Sequence, residues 1–96
     1  MQPRAHITEL LREYPTLVGG VDENAYVAQI WGRERDDGRW QAWLVFVPIT
    51  RGEPRRTDRE TTQSSREAAK YWASGVTAIY LQGALTRSVP LRVSAA

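Results

Sequence analysis

The chain has 96 residues, 13 basic and 11 acidic side chains for a formal charge of +2, 42% hydrophobic residues and no cysteine. That length supports one hydrophobic core rather than two, and the composition excludes wholesale disorder. The lack of thiols excludes a disulfide framework and thiolate chemistry, and so small a charge excess points only weakly to nucleic acid.

The opening residues, MQPRAHITELLREYP, hold no apolar run of signal-peptide length. No window approaches the ~18 apolar residues of a membrane span. The sequence therefore reads as a soluble cytoplasmic domain with no membrane partner. Residues 3–14 predict a short amphipathic helix, because Ile7, Leu10, Leu11 and Tyr14 recur at three-and-four spacing. Pro3 suits its first turn and Pro15 stops it. TLVGGVDEN, 16–24, is a connector with Gly19-Gly20 as its flexible point.

Residues 25–49 predict a β-hairpin around Asp37-Gly38, the preferred centre of a two-residue type I′ turn. That turn sets Gly32 opposite Trp43, Ile30 opposite Val45 and Ala28 opposite Val47, which gives one nearly apolar face. The other face then carries Arg33, Arg35, Trp31, Trp40, Leu44 and Phe46. A three- or five-residue loop would slip the register by one and reassign which strands' faces coincide. In TRGEPRRTDRETTQ, 50–63, a charged edge strand is expected over 55–63, with an exposed loop as the alternative. Residues 64–87 predict a long helix, opened by a Ser64/Glu67 capping box and striped by Ala68, Trp72, Val76, Ile79 and Gly83. A single domain over 1–88 and a flexible tail over 89–96 complete the division, with Val89–Val93 as an alternative edge strand.

The expected fold is α+β: a short N-terminal helix, an antiparallel sheet of two to three strands, and a long C-terminal helix packed on one sheet face. From ITELLREYP through YLQGAL, this order resembles the layout of double-stranded-RNA-binding domains. Small antitoxin-like domains share part of it. The first resemblance implies phosphate contacts at the start of the second helix, where SSREAAK offers Arg66 and Lys70.

No catalytic constellation emerges. His6 is the single histidine and has no partner near it in sequence. RERDDGR, 33–39, is a charged hairpin tip rather than a cation loop, and neither a metal nor a cofactor is implied. One helical layer leaves one sheet face uncovered, and a contiguous exposed aromatic patch marks an interaction site. The expectation is a non-enzymatic protein-interaction module that self-associates, as a dimer, through Trp31, Trp40, Leu44 and Phe46, rimmed by Arg33 and Arg35. The alternative is a nucleic-acid-binding module using Arg55, Arg56, Arg59, Arg66 and Lys70.

Overall fold

The computed structural model describes residues 7–19 and 23–91. It overturns the expected layout. Among the described residues, seven antiparallel strands form one sheet, and two short helices come late in the chain. The strands are β1 (Thr8–Glu13), β2 (Val18–Gly19), β3 (Ala25–Glu34), β4 (Trp40–Pro48), β5 (Arg55–Arg56), β6 (Thr61–Gln63) and β7 (Val89–Pro90). The helices are α1 (Arg66–Ser74) and α2 (Ala78–Arg87). The strand order is β1-β3-β4-β5-β7, with β2 also on β3 and β6 also on β4. His6, Pro3 and residues 92–96 lie outside the described residues.

The segment read as an N-terminal helix is a bulged strand. β1 pairs with β3, but its register shifts between Leu10, opposite Trp31, and Arg12, opposite Ile30. Neighbouring leucines point to opposite faces, as in any strand, and the bulge breaks the period-two alternation beyond them, so that residues three apart share a face. Leu10 is 42% exposed, while Leu11 packs against the core. Tyr14 also turns inward and donates its hydroxyl to the Ala73 carbonyl at 2.6 Å. The resulting apolar spacing imitates a helix. With β1 in that place, the RNA-binding-domain layout no longer applies.

The hairpin turn has three residues, not two. Arg35 N–H donates to the Arg39 carbonyl at 2.7 Å, and Gly38 N–H donates to the Arg35 carbonyl at 2.9 Å. Gly38 sits at φ +86°, a conformation that a side chain disfavours. Three-residue loops of this kind end in a glycine bulge. The register follows: Ala28 faces Phe46, Ile30 faces Leu44, Trp31 faces Trp43 and Gly32 faces Ala42. Ile49 N–H also donates to the Ala25 carbonyl at 3.1 Å, which keeps the same register at the far end.

This one-residue shift sorts the faces. Inward lie Tyr26, Ala28, Ile30, Ala42, Leu44 and Phe46, all buried. Ala73, Leu81, Ala84 and Leu85 cover them from the helices. Outward lie Val27, Gln29, Trp31 and Arg33 with Gln41, Trp43, Val45 and Val47. The molecule is 18 Å across its thinnest dimension, room for a sheet and one helical layer.

Residues 55–63 run beside β4 as two short strands separated by an irregular step. Within that step, Thr57 N–H donates to the Leu44 carbonyl, while Leu44 N–H donates to Thr57 Oγ1 at 3.0 Å. The expected long helix is broken at Gly75. Gly75 closes α1, and Thr77 caps α2 by accepting from Tyr80 N–H at 3.2 Å. A β-branched pair, Val76-Thr77, after a glycine favours such a break, since Thr serves better as a cap than in a helix interior. The cap of α1 is Ser65, whose Oγ accepts from Ala68 N–H at 3.1 Å, one residue beyond the expected Ser64.

Two ion pairs fasten the helical layer. Arg66 at the start of α1 grips Glu9 of β1 with its Nε at 2.8 Å, and this holds the Glu9 carboxyl below its ordinary pKa. Arg87 at the end of α2 and the Tyr80 hydroxyl both donate to Glu60, whose side chain is 5% exposed. Burial pushes the Glu60 pKa up, but those two donors outweigh it and hold the carboxyl below its ordinary value. At the sheet margin, Arg55 Nε donates to Ser88 Oγ at 2.9 Å, and Val89–Pro90 pairs with Arg55–Arg56. The beginning of the tail is thus part of the sheet.

Candidate functional site

The outward face of the sheet carries the features that suit a binding surface. Trp31 and Trp43 stand directly opposite each other on the two central strands, each half-buried. The Trp31 indole is fixed in place, with Nε1 donating to Gln29 Oε1 at 2.9 Å. Gln29 Nε2 in turn donates to Glu13 Oε1 at 2.8 Å. No described element packs over these rings.

Arginines flank the tryptophans from both sides. Arg33 pairs with Gln41 on β4, and Arg56 pairs with Val45. Gln41 and Val45 are the same-face neighbours of Trp43 along its own strand. Standard strand spacings then put the Arg33 and Arg56 Cα atoms each about 8 Å from that of Trp43, on opposite diagonals. Arg59, from the step between β5 and β6, joins them. Thr8, Arg33, Gln41, Trp43, Arg56, Arg59 and Leu91 line one open depression of about 470 Å³. No carboxylate of the described residues lines it. Among the described residues, none of Arg33, Arg56 or Arg59 forms an ion pair, whereas Arg35, Arg39, Arg66 and Arg87 all do.

The residues expected at a protein interface do not share one surface. Trp31 and Arg33 are on the outward face, but Leu44 and Phe46 are fully buried beneath the helices. Trp40 lies on the helix-covered side, at its margin opposite Glu34 and Gln63. Arg35 belongs to the hairpin tip, 3.6 Å from Asp37. The slip from a two-residue to a three-residue turn accounts for all of these placements on β4. The alternative set separates too. Arg56 and Arg59 reach the outward depression, Arg55 is engaged by Ser88, Arg66 is engaged by Glu9, and Lys70 is exposed on α1.

Trp43 is the residue that sequence reasoning assigned to the covered side. A signal for the correct face was present. Only the three-residue register gathers Gln29, Arg33 and Gln41 on one face and leaves the other apolar from Tyr26 to Gly32 and from Trp40 to Phe46.

Other concavities are less distinctive. The hairpin tip places Arg33, Glu34, Arg35, Asp36 and Asp37 around a depression that carries both signs of charge. A cleft of about 550 Å³ beside the α1–α2 junction is lined by Trp72, Val76, Tyr80 and their neighbours, without a charged side chain. Among the described residues, no group of three or more His, Cys, Asp or Glu side chains is placed to hold a metal ion. Nor is any described helix long and apolar enough to cross a membrane. No family model, curated protein or solved structure matches the chain.

Proposed function

We propose that this chain is a non-catalytic binding module whose working surface is the outward sheet face, and that its partner is anionic. The observation that carries the reading is a pair of half-buried tryptophans flanked by three arginines without carboxylate partners. Arg35, Arg39, Arg66 and Arg87 are neutralised internally by Asp37, Glu9 or Glu60, while Arg12 lies over the Tyr14 ring and Arg55 bonds Ser88. Uncompensated charge beside aromatic rings attracts an oppositely charged partner, and the rings supply apolar contact area once it arrives.

Titration with inorganic polyphosphate and with poly-glutamate, followed by tryptophan emission over a salt series, tests the proposal. Binding that weakens with salt, and that is lost when Arg33, Arg56 and Arg59 are all changed to Gln, is the expected result. Equal binding by that triple variant, or no binding of either anion at low salt, overturns it.

A second reading, self-association through the same face, is favoured by Leu10, Val27, Val45 and Val47, which extend the apolar surface past the tryptophans. Light scattering at several concentrations separates the two. A monomer keeps the face free for another molecule, and a dimer that Trp31→Ala dissociates gives it to a second copy.

A further inference from the structure

Resting on that reading, we infer that the anionic partner is a single-stranded nucleic acid, with bases stacked on Trp43 and Trp31 and phosphates held by Arg33, Arg56 and Arg59. Charge alone does not distinguish a phosphate chain from an acidic peptide. The aromatic content of the face does.

Two indoles side by side at the centre of a sheet offer flat π surfaces, and every nucleobase has a matching π face. The Trp31 ring is already pinned by its bond to Gln29, so little side-chain freedom remains to be lost on binding. Arg33 and Arg56 lie on either side of Trp43 along one diagonal of the sheet, about 17 Å apart at their Cα atoms by standard strand spacings. A chain that alternates charge and aromatic rings fits that alternation of Arg, Trp and Arg. Gln41, in the same depression, has a side-chain amide that forms no hydrogen bond within the described residues. An amide both donates and accepts, which suits the edge of an unpaired base. A duplex fits poorly, because its stacked pairs hide the base faces that the tryptophans would take.

The probe is a fluorescein-labelled oligothymidylate of about 12 nucleotides, within the usual site size of single-strand-binding folds. Anisotropy is read for the full chain between low and physiological salt. Three phosphate contacts predict a slope of log K against log salt of about −2. Trp43→Ala should weaken binding by about 5- to 150-fold, the range for loss of one stacked base. Trp43→Phe should retain most of the affinity, and a duplex of the same length should bind more weakly. Unchanged denaturation midpoints show that the variants are folded, and Arg56→Gln with Arg59→Gln provides a test that leaves the aromatic packing intact.

Three results overturn the inference. If poly-glutamate or polyphosphate binds as well as the oligonucleotide and Trp43→Ala has no effect, the anion-binding reading survives and the nucleic-acid inference falls. If the oligonucleotide binds but is indifferent to Trp43→Ala and to the arginine changes, it sits elsewhere and the inference falls. If no anion binds at low salt, both fall together.

Discussion

Gly32 offers a direct test of the sheet register. It lies on the inward face opposite Ala42, and a Cβ built there would stand 2.6 Å from Leu11 Cδ1, 3.2 Å from Leu11 Cγ and 3.3 Å from the Gln41 carbonyl oxygen. Two effects oppose each other in Gly32→Ala. Loss of glycine's conformational freedom in the unfolded chain stabilises by about 0.4–1 kcal/mol. Overpacking of a filled core costs about 1–3 kcal/mol. The close atoms belong mainly to a side chain that can rotate, so the cost should fall near the low end of that range, about 1–1.5 kcal/mol, for a net destabilisation of at most about 1 kcal/mol. Leu11→Ala removes the obstructing atoms and by itself leaves a gap over Gly32. The double variant should therefore cost less than the sum of the two single changes, with a coupling of about 1 kcal/mol, inside the range for residues in contact. Urea denaturation followed by far-UV circular dichroism measures all four corners of the cycle. The two-residue turn would instead put Trp43 across from Gly32. Strict additivity with Leu11, combined with coupling between Gly32 and Trp43, would refute the register and the face assignment built on it.

The remaining predictions concern what holds the two layers together. Phe46 is fully buried and meets Tyr26 edge-on at 6.4 Å between ring centroids, so Phe46→Ala should destabilise by about 3–5 kcal/mol. Trp31→Ala, on the outward face, should cost markedly less, and equal losses in chemical denaturation would argue against a one-sided core. Glu60→Gln should weaken the attachment of α2 by about 1–3 kcal/mol at neutral pH. Because the Glu60 pKa is depressed in the folded state, its contribution is present above the ordinary value of 4.5 and is lost as pH falls through the folded value. The gap between the native chain and Glu60→Gln should accordingly narrow as the medium is acidified below that point, and a gap independent of pH would contradict the Glu60–Arg87–Tyr80 assignment. Arg55→Gln, which removes the grip on Ser88, should release the β7 end of the sheet, read as faster amide exchange at Val89 with the central strands unaffected.

Where local chemistry decides the outcome, the sequence was legible: the hairpin at Asp37-Gly38, and helical segments between Ser64 and Arg87. It misled where a non-local choice wins. The spacing of Leu10, Leu11 and Tyr14 reads as helical until β1 is known to bulge against β3, since only the neighbour's register separates a bulged strand from a helix face. Asp36-Asp37-Gly38 closes a three-residue loop as readily as Asp37-Gly38 closes a shorter one, and that single residue moves Leu44 and Phe46 into the core and Trp43 out of it. The break at Gly75 was foreshadowed by the glycine, yet the helical pattern on both sides of it masked the stop. Of the candidate surface, Trp31, Arg33, Arg56 and Arg59 were visible in the sequence as separate features. Pairing across β4 is what unites them around Trp43, and no local pattern encodes it.

The most direct test of the central claim uses the indole N–H signals of the four tryptophans in a ¹⁵N-labelled chain, assigned by single Trp→Phe changes. On adding a single-stranded oligonucleotide, the signals of Trp31 and Trp43 should move together, while Trp40 and Trp72 on the helix-covered side stay in place. Movement of Trp72 or Trp40 with Trp43 unmoved would put the binding surface on the other side of the sheet and contradict the account.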